Sequence, residues 1–141
     1  MKNILLMLAI CILFSCKKNS NHELSSKNWR ITSSTITPAM TIGSKTGTDY
    51  LALMGPQSCE ATMELSFAAD GTFTQTSNGA LCDLYYDPKN KPVTWSRNND
   101  RIVLSSSPDF SFIQSGNTLS STSYITNDGT TYTLVRVYKA K

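Results

Sequence analysis

Between Ala61 and Phe67 the chain alternates without a break: Ala61, Met63, Leu65 and Phe67 are apolar, while Thr62, Glu64 and Ser66 are polar. A period of two sends every second side chain to one face of an extended strand, so this segment belongs in a half-buried sheet. Ala69-Asp70-Gly71 then supplies a turn, and residues 72–77 return. The pattern recurs downstream. Segments 93–97 and 101–105 flank Asn98-Asn99-Asp100, and segments 110–114, 118–126 and 130–138 are joined by Ser115-Gly116-Asn117 and Asn127-Asp128-Gly129. Such Asn/Asp-Gly turns suit tight hairpins because they tolerate positive φ. With a first strand at 29–36, rich in β-branched residues, the total is eight. Ser and Thr are abundant and no long helical period interrupts them, so the fold class expected is all-β. Eight strands in meander order close into an antiparallel up-and-down barrel, which leaves no exposed edge. A β-sandwich is the competing fold, but its crossovers need longer connections than most of these.

The N-terminus carries a different signal. Lys2 precedes an apolar run at 4–14 that contains no charge. It is too short for a stable membrane span, which needs about 20 apolar residues, and reads as the core of a signal peptide. The run ends in Leu13-Phe14-Ser15-Cys16, which is similar to a bacterial lipobox. Cleavage before Cys16 would leave it N-terminal, and its thiol, as the thioether that carries diacylglycerol, would hold the protein at a membrane. An ordinary secretory signal followed by a chance cysteine is the alternative. Residues 17–26 are polar, lack apolar periodicity and read as a flexible tether. The organisation expected is a signal peptide at 1–15, the lipidated cysteine and tether at 16–23, and one domain at 24–141. Lys17 is not the aspartate that marks inner-membrane retention, so an outer-membrane lipoprotein is expected, with the leaflet open.

Removing residues 1–15 leaves 126, enough for one domain with one core. That removal takes Lys2 and no acid, leaving 12 basic against 10 acidic side chains. With no basic run, nothing argues for nucleic acid. Beyond Cys11 in the signal and Cys16 at the anchor, only Cys59 and Cys82 remain. In an oxidising compartment these two are expected to pair. Setting Phe67 opposite Thr72 brings them within about one residue of facing positions. A metal pair or redox couple would need further ligands or closer spacing. The single histidine, His22, lies in the tether, so the domain has no imidazole for a nucleophile or a metal. No glycine-rich phosphate loop is present, and the acids, among them Glu60, Glu64, Asp70 and Asp128, are scattered. No catalytic residue, metal or cofactor is expected; a glycosidase-like acid pair across the barrel is the one arrangement the spacing leaves open.

Three features carry a family likeness: Trp29 opening the first strand, the block Leu65-Ser66-Phe67-Ala68-Ala69-Asp70-Gly71-Thr72-Phe73 flanked by Cys59 and Cys82, and the later Trp95 with Tyr132-Thr133-Leu134. On these, the chain from Leu24 onward resembles the lipocalin-like domain of many small lipoproteins of gram-negative bacteria. Lys27 stands where true lipocalins have glycine, two residues before the tryptophan. The resemblance implies a lipocalin-type barrel with a long lid loop after the first strand, here 38–58, and for most members no established activity. It also implies that Arg136 packs over Trp29 by cation–π contact; the bland alternative is a solvated strand residue.

The lid loop carries Met40, Tyr50, Leu53 and Met54, with a short helix expected at 49–54 behind Thr48 or Asp49. Together with Met63, Leu65, Phe67, Phe73, Trp95, Phe112 and Tyr132, these would line a lidded apolar pocket. The same side chains could instead fill the interior. The function expected is a membrane-anchored protein that binds or carries a small hydrophobic ligand. The alternative is a non-enzymatic module whose filled barrel displays loops to a protein or glycan of the envelope, with Tyr85 and Tyr86 as anchors.

Overall fold

The structure, a computed structural model, describes residues 20–78, 82 and 91–141. The expected signal peptide, Cys16, Tyr85 and Tyr86 lie outside the described residues. Helix α1 (Ser20–Ser25) leads into strands β1 (Asn28–Ile42) and β2 (Lys45–Asp49), then helix α2 (Tyr50–Met54). Seven strands follow: β3 (Glu64–Phe67), β4 (Phe73–Thr76), β5 (Trp95–Asn98), β6 (Arg101–Leu104), β7 (Ser107–Ser115), β8 (Thr118–Asn127) and β9 (Thr130–Ala140). They form one antiparallel sheet in the order β4-β3-β1-β9-β8-β7-β6-β5, with β2 added to β1. The two ends of that order meet at a Thr72–Thr94 bridge. There Phe73 N–H donates to the Val93 carbonyl at 2.8 Å and Trp95 N–H to the Gly71 carbonyl at 2.9 Å. The result is a nearly closed barrel of eight strands in meander order, with β2 as an addition.

The turns follow from residue chemistry. Asp128–Gly129 joins β8 to β9 with φ of 48° and 77°, the left-handed pair that a two-residue hairpin requires. The β3–β4 hairpin differs from the expected register by one residue: Phe67 faces Phe73, and Ala68 N–H donates to the Thr72 carbonyl at 2.8 Å. The reason is packing. Directly opposed residues share a face, so only this register puts both phenylalanines inside.

The stretch after the first strand is not a loop. β1 continues to Ile42, and Pro38, which cannot donate to a ladder, sits in an irregularity where β2 skips from Thr35 to Met40. Asp49 caps α2 by accepting the Ala52 N–H at 3.1 Å. The hairpin and helix still cover the interior, because Leu53 and Leu51 both pack on buried apolar clusters. The expected tether also gives way at Ser20, where α1 begins. Leu24 is fully buried, and its carbonyl accepts Trp29 Nε1–H at 3.1 Å.

The core divides in two. The lower cluster, beside α1, includes Leu24, Trp29, Ile31, Leu65, Phe67, Phe112, Leu119 and Tyr138. The upper cluster, beneath α2, is Ile36, Met40, Leu53 and Leu134, with Ile42, Tyr50, Ile125 and Tyr132 packed against it. Among the described residues, every ladder and both clusters lie between residues 20 and 141.

Cys59 and Cys82 are joined in a disulfide, as expected, with Cα atoms 5.4 Å apart and a sequence separation of 23. Closing a loop of that length contributes about 3 kcal/mol in the chain-entropy account. Replacing both cysteines with alanine is therefore expected to lower the unfolding free energy by about 3 kcal/mol. Urea titration of the variant beside oxidised and reduced wild type checks this. Coincident curves for oxidised and reduced wild type would show that the bridge contributes nothing.

Candidate functional site

A band of polar side chains separates the two clusters. Cross-strand pairing sets Ser34 of β1 beside Arg136 of β9, and Arg136 beside Ser121 of β8. All three project inward, in phase with Leu134 and Tyr138 on β9 and Leu119 on β8. Below the row lie Ile31, Tyr138 and Leu119; above it lie Ile36 and Leu134. A fourth member comes from the turn after α2. Glu60, 8 % exposed, faces the row, and its carboxylate takes Arg136 Nε–H on Oε1 at 2.5 Å and Nη2–H on Oε2 at 3.2 Å. Ser34 Oγ donates to the same Oε1 at 3.0 Å, and Arg136 Nη1 donates to Ser123 Oγ at 3.0 Å. This two-pronged pairing is the strong form of a charge-assisted contact.

The row is rich in donors. The Ser121 hydroxyl, on a residue 3 % exposed, faces Tyr138 without completing a hydrogen bond of ordinary geometry. Tyr138 itself donates to the Met63 sulfur at 3.4 Å, a weak acceptor. Burial pushes the Tyr138 phenol up to about 12; Arg136 pulls it down, Glu60 adds to the rise, and Ser121 opposes it. Tyr50 is also raised, first by burial and then by the charge of Glu60, against the pull of Arg136. For Arg136, burial favours the neutral form, but the hydrogen bonds and charge of Glu60 outweigh it, and the net direction is upward.

These directions have a consequence in alkali. A phenol raised in the folded state holds its proton where the unfolded chain has lost it. Its contribution is complete below the ordinary value of 10.0 and disappears as pH climbs toward 12. A rise of that size corresponds to about 2–3 kcal/mol. Wild type should therefore lose stability steeply between about pH 10 and pH 12 in urea unfolding, and Tyr138→Phe should flatten that limb. An unchanged slope in the variant would assign the alkaline loss to other groups.

The wall beside the row is split. Pairing of β7 with β8 stops at Phe112–Ser121, although β8 runs on to Asn127. Among the described residues, no strand pairs with that side of β8 from Thr122 onward. Ser123, which accepts from Arg136, lies on this unpaired stretch. Two shallow grooves on the wall, of about 220 and 200 Å³, are lined by Asn28, Glu64 and Thr74 with neighbours and by Trp95, Leu104 and Pro108 with neighbours. Neither has Glu60 or Arg136 in its lining.

The expected ligand residues fall into two groups. Met63, Leu65, Phe67, Phe73 and Phe112 are buried together in the lower cluster, with Trp95 packed against it and its Nε1–H given to the Ala68 carbonyl at 3.0 Å. Met40, Leu53, Tyr50 and Tyr132 meet in the upper cluster. Met54 joins neither, being 41 % exposed on α2. Arg136 does not pack over Trp29. The register puts Trp29 opposite Ala140 and Arg136 opposite Ser34, more than a turn's length up the strand, and the guanidinium goes to Glu60 instead. Sequence reasoning missed Glu60, Ser34 and Ser121. Arg136 and Ser121 were visible as polar breaks in the inward phase of two otherwise apolar faces; Ser34 was hidden by the β1 irregularity between Ile31 and Ser33. Glu60 sits in a turn rather than a strand, so no periodicity pointed to it.

Among the described residues no group of three or more metal-ligating side chains converges, and no helix is long and apolar enough to cross a membrane. Comparison with protein-family models, with curated proteins and with solved structures finds no match to this chain. Fold and site together define a small antiparallel barrel with an ion pair set across its interior.

Proposed function

We propose that the protein is a lipocalin-like lipoprotein of the bacterial envelope, anchored through Cys16, whose barrel holds or carries one small molecule with an apolar body and a polar head. The observation that carries this reading is the Glu60–Arg136 pair between two apolar clusters. A barrel that needed only a core would gain by filling that level with apolar side chains, since replacing a buried ion pair by well-packed hydrophobes is often neutral or stabilising. A few polar groups in an otherwise apolar site fix the orientation of a bound ligand, and this pair is placed to do so. The split between β7 and β8 offers a way in from the side.

Native mass spectra of residues 20–141, before and after organic extraction, test the proposal. An adduct that leaves on extraction supports it; a clean mass with no saturable uptake of apolar dyes rejects it. The anchor has its own check: Cys16→Ser in the full chain is expected to abolish incorporation of labelled acyl chains, and normal labelling of that variant would refute lipidation at this residue.

The alternative, a filled barrel that presents its surface to an envelope protein or glycan, draws on the ring contacts of the lower cluster and on Tyr124, 70 % exposed on the outer face of β8. It takes over if the mass is clean and Tyr124→Ala weakens capture of a partner from envelope extracts.

A further inference from the structure

We infer that the interior row is a receptor for the carboxylate of a single-chain apolar acid, and that Glu60 occupies the receptor as a stand-in until such a ligand displaces it. This rests on the ligand-holding reading above and adds the chemical class of the head group. The argument starts from what the row already holds. Three donors, Ser34 Oγ and Arg136 Nε and Nη2, converge on a carboxylate at 2.5–3.2 Å. A site built to hold one carboxylate in fork geometry has the shape and charge to hold another.

The two partners are mounted differently. Arg136 sits in β9, which is paired on both sides, to β1 and to β8. Glu60 sits in a turn outside the ladders: Ser58 Oγ donates to the Gly55 carbonyl at 2.7 Å and Ala61 N–H to Ser58 Oγ at 3.1 Å, while the Cys59–Cys82 bridge and Asn78 N–H, given to Thr62 Oγ1 at 3.0 Å, pin the turn to the segment after β4. Glu60 itself takes part in no ladder pair, so its carboxylate can swing out of the row by side-chain rotation while the turn stays pinned and the ladders stay closed. The cation is therefore fixed and the anion displaceable.

Two donors lack an oxygen acceptor. Ser121 Oγ is buried and faces Tyr138 without completing a hydrogen bond of ordinary geometry, and the Tyr138 hydroxyl donates to the Met63 sulfur. A ligand carboxylate lying deeper than that of Glu60 would satisfy both while keeping Arg136. Unpaired buried donors of this kind are costly to leave unmade, so the row favours a guest that brings acceptors. The tail of the acid then lies along Ile36, Met40, Leu53 and Leu134 beneath α2, the cluster that borders the row. An amine head is disfavoured, because it would meet the fixed guanidinium.

The test is titration calorimetry of delipidated residues 20–141 with dodecanoic acid, dodecan-1-ol and dodecyltrimethylammonium, each below its micelle concentration. The acid is expected to bind at least about tenfold tighter than the alcohol, as charge-assisted bonds exceed neutral ones. Glu60→Gln should tighten the acid about tenfold and leave the alcohol unchanged, because the internal competitor has lost its charge. Arg136→Gln should erase the acid's advantage; if that variant fails to fold, the wild-type and Glu60→Gln comparisons decide alone. Equal affinities for acid and alcohol overturn the inference, as does tightest binding of the cationic probe. Should an extractable adduct be found by mass while no probe binds, the carboxylate inference fails and the ligand-holding reading stands. Absence of both adduct and probe binding removes the two together.

Discussion

Phe67→Ala is expected to lower the unfolding free energy by about 4 kcal/mol. The ring is fully buried and meets three others, with centroids 5.1 Å from Phe73, 5.9 Å from Trp95 and 5.7 Å from Phe112. The Trp95 and Phe112 contacts are edge-on, a favoured arrangement for aromatic pairs. Four rings from β3, β4, β5 and β7 thus support one another across the place where the barrel closes. Truncation removes the transfer energy of the ring and leaves a void that strands on both sides hold open. The measurement is urea unfolding of oxidised residues 20–141, with the slope of the transition compared as well as its midpoint. The result also bears on function. A loss near the expected figure marks the lower half as packed core and confines any ligand to the row and the upper cluster. A loss under about 1.5 kcal/mol, far below the usual range for a buried ring, would mean that the ring borders free space, and would return the pocket to the lower half.

The fold was legible because period-two segments and turn residues are local signals. Asp128–Gly129 and Asn98–Arg101 announce hairpins by residue type alone, and the meander order follows from their shortness. Two misreadings have one cause, which is that local rules yield to tertiary pairing. Pro38 ought to end a strand, yet β1 passes it because β2 leaves that position unpaired. Counting back from the turn places Phe67 against Thr72, but the need for Phe67 and Phe73 to share the inner face overrides that count. The site was less legible than the fold. Its three wall positions come from strands separated by as many as 102 residues in sequence, from Ser34 to Arg136. Its fourth comes from a turn that the alternation at 61–67 disguised as the start of a strand. Polar residues on an inward face are the signal to look for, because an interior position that is not apolar needs a partner, and the partner names the chemistry.

Arg136→Met is expected to cost about 3 kcal/mol, the low end for breaking a buried pair because the guanidinium side chain keeps 19 % of its exposure. The loss arises less from the missing attraction than from what remains. Glu60, with 9 % side-chain exposure, would keep its charge with only the Ser34 hydroxyl to answer it. The reverse change should be milder: Glu60→Gln leaves a cation that already donates to Ser123 and lies beside the split in the wall, where water can reach it. A double variant, Glu60→Met with Arg136→Met, removes both charges and is expected to recover most of the loss. The four proteins form a thermodynamic cycle read by urea unfolding at neutral pH. Recovery in the double variant to wild-type stability or above would mean that the pair is not kept for the sake of the fold, which leaves binding as the reason for its presence. A double variant as unstable as the single one would make the row a structural tie between β1, β8 and β9, and the case for a guest in the barrel would then have to rest on the mass spectra alone.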